Sequence, residues 1–184
     1  MKRLFDPAPS ARPITADSVR TISARLLLAT ALIAGSAGAA PPQEIRAPVI
    51  ALYKMFAWEA LSSGETFGGG VTGQSAAQLA EFFDPSLTGL LIQDRACQKK
   101  RREICKLDFD ILFDAQDPRV TDLTIVAVKN GEVAVTFKDP VTDISTHIRY
   151  VVRRGSRGWR ITDVVYEGKK RVSLRAMLAH PVGD

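Results

Sequence analysis

Five aspartates crowd one short span of the chain: Asp108, Asp110, Asp114 and Asp117, with Asp122 close behind. Asp108 and Asp110 share a face if the backbone is extended, and Asp114 and Asp117 share one if it is helical. Paired carboxylates do acid–base work when burial separates their pKa values. Several carboxylate oxygens also suit calcium, but the calcium-loop pattern fails because Leu112 and Phe113 stand where an oxygen ligand and the turn glycine belong. The plainer reading has these acids capping turns and pairing with nearby bases such as Arg119. A sixth aspartate, Asp163, lies in GWRITDVV, where strict alternation groups it with Trp159, Ile161 and Val165. A carboxylate among apolar neighbours must find a partner or stay protonated. Asp163 is therefore the leading candidate for a functional acid lining a pocket, with Asp110 and Asp117 behind it. Its plainer alternative is a structural acid bonded to backbone or to an arginine. Tyr53, Trp58 and Trp159, together with Asp163, are the candidate ligand contacts.

Other reactive side chains support little. His147 shares a strand face with Arg149 and Arg153, a pattern that fits an exposed strand residue better than a base. No G-x-S-x-G, HExxH or Cys-His-Asn arrangement occurs, so nucleophilic and zinc hydrolase chemistry has no support. The glycine-rich stretch GETFGGGVTGQ (64–74) lacks the Lys-Ser/Thr pair and the preceding strand of a phosphate cradle, and reads as a plain loop. No metal site and no cofactor are expected.

The two cysteines, Cys97 and Cys105, are spaced too widely for a redox CxxC and lack companions for zinc. In an exported protein two cysteines most simply pair. Closing so short a loop stabilises by roughly 2–3 kcal/mol on the chain-entropy model. Between them stand Lys99, Lys100, Arg101 and Arg102, read as a solvated charged face in a stapled turn that joins two halves of the chain. The sharper reading is a weak contact surface for anionic lipid headgroups or an acidic partner.

Export is itself an inference from the N-terminus. Residues 1–39 hold five bases against two acids, which is +3 of the formal net charge of +5. The +2 left for the remainder is too little to imply nucleic acid. Arg20 and Arg25 precede the apolar run 26–34, followed by small residues and an A-x-A site at Ala37 and Ala39. That is the form of a signal peptide over 1–39. The run is well short of the roughly 20 residues that span a bilayer. With 184 residues and 46% hydrophobic content, the chain has room for one domain with a real core. The expected organisation is a signal peptide over 1–39, a linker over 40–46 and a single domain over 47–184, soluble in the periplasm or secreted.

The elements that must position these residues follow from periodicity. Pro48 suits the first turn of a helix carrying Val49, Leu52, Tyr53, Phe56 and Ala60 on one stripe. Ser75 and Gln78 form a capping box ahead of Leu79, Phe82 and Phe83, and Asp84-Pro85 starts another helix through Leu87, Leu90 and Leu91. Beyond Pro118 the period changes to two. Leu123, Ile125 and Ala127 lead into an Asn130-Gly131 hairpin and then Val133, Val135 and Phe137. Ile144 to Val152 and Trp159 to Val165 supply two more strands, and a helix from Ser173 to His180 turns Leu174 and Leu178 inward. Helices followed by an antiparallel meander mean α+β, with N-terminal helices packed on a curved sheet.

Two helices, a cysteine-bearing turn, LDFD…AQD, and hairpins ending in GWRITDVVYEG and SLRAML resemble the YbjP/YqhG-like group of uncharacterised secreted bacterial proteins. That group is similar to the cone-shaped nuclear-transport-factor-2-like superfamily, and the resemblance spans about residues 47–178. It implies a cystatin-like or nuclear-transport-factor-2-like cone, but no activity, because the superfamily mixes isomerases, dehydratases and hydrolases with non-catalytic binders. Three functions follow as expectations. The first is a non-catalytic periplasmic binding or interaction module holding a small ligand or partner protein in the concavity. The second is a small isomerase or hydrolase using pocket aspartates, and the third an inhibitor or immunity-type protein acting through the basic segment.

Overall fold

A computed structural model describes residues 41–61 and 70–180. The expected signal peptide, most of the glycine-rich loop and the last four residues lie outside them. The described chain is α+β: four α-helices and one open antiparallel sheet of five strands in the order β1-β2-β3-β4-β5.

Helix α1 spans Pro42–Phe56 and runs into a 3₁₀ turn over Ala57–Leu61. It buries Val49, Leu52, Tyr53 and Phe56, the stripe expected from the spacing. It starts six residues earlier than expected, so residues 42–46 are helical rather than a linker, with Pro42 at the first helical position and Pro48 inside the helix. Proline there forgoes one i→i−4 bond, and its ring is buried in return. Helix α2, Ala76–Phe82, carries the expected capping box between Ser75 and Gln78. Helix α3, Pro85–Arg101, is capped by Asp84, whose Oδ1 accepts from the Leu87 N–H at 2.8 Å. It extends ten residues past Leu91, so Cys97, Lys99, Lys100 and Arg101 lie on its last turns and not in a turn of their own. Bases in that position face the partial negative charge of the helix C-terminus.

The sheet is built from β1 (Thr121–Ala127), β2 (Glu132–Lys138), β3 (Ser145–Gly155), β4 (Gly158–Glu167) and the short β5 (Arg171–Ser173). The Asn130-Gly131 turn has both residues at positive φ, +62° and +74°. A Cβ on Gly131 would come within 2.8 Å of the Val152 carbonyl oxygen, so the position requires glycine. Helix α1 lies against β1, β2, β3 and β4, while α2 and α3 meet β4. The face beneath them carries Val133, Val135, Phe137, Ile148, Tyr150, Val152, Ile161, Val164 and Tyr166, all buried in one cluster with the helical stripes. Helix α4, Leu174–Ala179, is capped by Ser173 and buries Leu174 and Leu178 as expected. Ile144, expected to open the third strand, precedes β3 and is 65% exposed.

Simple alternation fails at two irregularities. The β1–β2 register shifts between Thr121 and Thr124, where Asp122 has φ +55°, and Leu123 is left 37% exposed. In β4, Val152 pairs with Ile161 but Val151 pairs with Asp163, leaving Thr162 as an extra residue. The bulge puts Ile161, Val164 and Tyr166 on the core face and Asp163 on the other.

The segment that links the two halves of the chain packs against both α1 and the sheet. Residues 110–115 form a tight turn closed by the Asp110 N–H donating to the Ala115 carbonyl at 2.8 Å. Ile111, Leu112 and Phe113 are at most 2% exposed, so this irregular backbone is inside the core. Its carbonyls are met by tyrosines. The Tyr53 hydroxyl donates to the Leu112 carbonyl at 2.6 Å, and the Tyr166 hydroxyl donates to the Ile111 carbonyl at 3.1 Å. With the Tyr53 proton committed to a carbonyl, the 3.0 Å contact between the Tyr53 and Tyr150 hydroxyls requires Tyr150 to donate. Phe113 meets Tyr53 and Phe137 edge-on, with ring centroids 5.8 and 5.6 Å away. Replacing Tyr53 with Phe strands both the Leu112 carbonyl and the Tyr150 hydroxyl. The expected loss is about 1–3 kcal/mol of unfolding free energy in urea titration, whereas an unchanged midpoint would mean that the turn is not held this way.

Candidate functional site

The acids singled out by spacing do not converge. Asp108, Asp114 and Asp117 are exposed, and Asp110 is half-buried, its Oδ1 accepting from the Leu112 N–H at 2.7 Å. Asp110 thus shapes the turn, as in the plainer reading. Among the described residues no three His, Cys, Asp or Glu side chains stand close enough to share a metal ion.

Asp163 is engaged at the start of α4. Its Oδ1 accepts from the Val164 and Arg175 N–H groups at 2.8 and 3.0 Å, and its Oδ2 accepts from the Ser173 hydroxyl at 2.7 Å. These bonds hold the start of α4 to the bulge in β4. Arg175 completes the clasp, donating from Nε to the Thr162 carbonyl at 2.7 Å, from Nη1 to Ser86 Oγ at 2.7 Å and from Nη2 to Asp84 Oδ1 at 2.8 Å. One arginine thereby ties the bulge, α4 and the N-terminus of α3 together. A carboxylate with three donors is engaged as a structural group.

The aromatic candidates are likewise dispersed. Tyr53 is a core residue, 2% exposed. Trp58 is 37% exposed and donates to the Met55 carbonyl at 2.8 Å, whereas Trp159 reaches Glu44 Oε2 at 3.3 Å. Eleven residues of helix separate Glu44 from Met55, roughly 16 Å, so the two indoles sit toward opposite ends of α1 and share no site. His147 is exposed, with Nδ1 3.4 Å from the Thr136 hydroxyl. Beside it, Arg149 bridges Glu132 and Glu167, each at 2.8 Å.

Among the described residues, a recess forms around a buried acid that spacing did not single out. A cleft of about 160 Å³ is lined by Thr72, Gly73, Leu91, Asp94, Arg95 and Gln98. Arg95 donates to the Gly73 and Gln74 carbonyls at 2.7 and 2.6 Å and so fixes the wall opposite α3. Asp94 is 5% exposed; its Oδ2 accepts from Gln98 Nε2 at 2.8 Å, and its buried Oδ1 has no hydrogen-bond partner. Gln98 also donates to the Leu107 carbonyl at 3.1 Å, anchoring the segment that follows the second cysteine. Lys106 extends from that segment to the Leu178 carbonyl on α4. The signal for Asp94 is visible in retrospect. It stands at i+7 from Leu87 and i+3 from Leu91, on the buried stripe of α3.

Cys97 and Cys105 stand at disulfide distance, with Cα atoms 6.2 Å apart. The clasp closes the end of α3 onto the irregular segment behind it. The bases Lys99, Lys100, Arg101 and Arg102 are all exposed, as is Ile104 within the same loop at 67%. Among the described residues no helix is long and apolar enough to cross a membrane.

No protein-family model, curated protein or solved structure matches this chain significantly.

Burial raises the pKa of Asp94 above its ordinary 3.8, opposed by the Gln98 amide, the nearby N–H groups of Lys106 and Leu107, and the Lys106 charge. A carboxyl whose folded pKa is raised contributes stability below the unfolded value and loses it as pH climbs through the folded one. The Asp94→Asn variant lacks this slope and can still accept from Gln98. Its stability relative to the parent should therefore rise between about pH 4 and pH 7, measured by urea titration at each pH. A constant difference across that window would show that the carboxyl ionises freely.

Proposed function

We propose that this chain is an exported, non-catalytic interaction module with a cone-like α+β body of the nuclear-transport-factor-2-like kind, related to the YbjP/YqhG-like group. The observation that supports the reading is the burial of the linking turn. Ile111, Leu112 and Phe113 are packed into one core cluster with side chains of α1 and the sheet, where a catalytic cone would hold its substrate. Two of the three candidate acids are spent on structure, Asp110 in the turn and Asp163 in the α4 clasp, and the third, Asp117, is exposed. A molecule built in this way meets its partner with its outer surface. Export is supported by the leader-like N-terminus and by the paired cysteines, which suit an oxidising compartment.

A second reading, a small hydrolase or isomerase, draws support from Asp94 alone, a buried acid of raised pKa lining a recess. Native mass spectrometry of protein isolated from an oxidising compartment separates the two. The module reading expects the mass of the leader-free chain less two hydrogens, with no retained small molecule or metal. A stoichiometric ligand that is lost in Asp94→Asn would overturn it in favour of the second reading.

A further inference from the structure

The loop at the end of α3 is densely charged, and it carries an unusual companion. Lys99, Lys100, Arg101 and Arg102 face solvent together with Glu103, leaving a net charge of +3 over residues 99–103. Glu103 offsets only one of the bases, pairing with Arg101 at 2.8 Å, and both groups are well exposed, so solvent and salt screen that pair. Arg102 adopts the left-handed conformation at φ +59°, which ends the helix and turns the chain outward. Ile104 follows at 67% exposure, one residue before Cys105 closes the loop. An isolated exposed isoleucine needs no explanation by itself. Here it projects from a short loop whose length is fixed by the cysteine pair, beside a group of bases.

We propose that this loop docks the protein on an anionic bilayer surface, with the bases among lipid phosphates and Ile104 entering the headgroup layer. The proposal deepens the interaction-module reading by naming its surface and its partner. The arrangement favours a membrane over an acidic protein. A protein interface places an apolar core inside a polar rim, whereas this loop offers a single apolar point amid charge, which matches the layered polarity of a bilayer interface. Each base near an anionic leaflet adds to binding, and the attraction decays within a Debye length. Nucleic acid fits poorly because no aromatic residue interleaves with the bases to stack on nucleobases. The loop also needs no ordering on contact, since the cysteine pair, the Gln98 bond to Leu107 and the Lys106 bond to Leu178 hold its base.

Co-sedimentation with vesicles tests this, using oxidised protein and phosphatidylcholine liposomes with or without phosphatidylglycerol. Binding should require phosphatidylglycerol and weaken with added salt. It should fall at least about tenfold when Lys99→Glu and Lys100→Glu are combined, and about threefold or more for Ile104→Ser. Both variants lie on exposed positions, and unchanged thermal midpoints establish that they fold. Absence of binding at low salt, or equal binding by all variants, would overturn the proposal. So would loss on charge reversal with no effect of Ile104→Ser, because that pattern describes a purely ionic surface suited to an acidic polymer. Native mass spectrometry on the same samples reports separately on the module reading, which survives a failure here unless a bound substrate-like ligand appears.

Discussion

A loop pushed into a hydrophobic core brings carbonyls that water can no longer reach, and every one left unpaired is costly. The turn at 110–115 faces this constraint more severely than any other described segment, because three of its residues are almost wholly buried. Tyrosine answers it well. Its ring supplies apolar area to the core, and its hydroxyl reaches a carbonyl that no backbone donor can approach. Tyr53 from α1 and Tyr166 from β4 each take one carbonyl, and Tyr150 from β3 closes the network on Tyr53. Burial pushes all three phenols above their ordinary pKa, so they keep the protons that these bonds need. The helical layer and the sheet are thus joined through one turn.

The second junction is polar and lies at the middle of β4. The extra residue at Thr162 frees a carbonyl for Arg175 and turns Asp163 toward the start of α4. Asp84 then serves twice, capping α3 through the Leu87 N–H and receiving Arg175. A further tie runs from Asp84 to the Ile161 carbonyl, 2.9 Å from the Asp84 N–H. Bulges often re-aim side chains at functional sites. Here the re-aimed acid holds the start of α4 to β4, so a carboxylate that looked chemical is architectural.

How far the sequence could be read depended on the kind of signal. Periodicity located the buried stripe of α1, the capping box at Ser75, the Asp84-Pro85 start and the Asn130-Gly131 hairpin, because each is a local pattern with a local cause. The leading end of α1 was hidden, since Pro48 also suits a first turn and only tertiary burial keeps it inside the helix. Asp163 was misplaced because alternation assumes an unbroken ladder, and one extra residue reverses the faces. Tyr53 was legible as core, but its partner was not, since nothing local tells a tyrosine which carbonyl 59 residues away it will meet. Asp94 had a readable position on the α3 stripe, yet a single acid on an apolar stripe draws notice only when its surroundings are known.

Ile111, Leu112 and Phe113 belong to the core although their backbone is irregular. Hydrogen–deuterium exchange of that segment, followed against strands β3 and β4, tests this. The buried amides of Leu112 and Phe113 should exchange only as slowly as the central strands, through global opening. Exchange at the pace of an open loop while β3 and β4 stay protected would show that the turn is not part of the core.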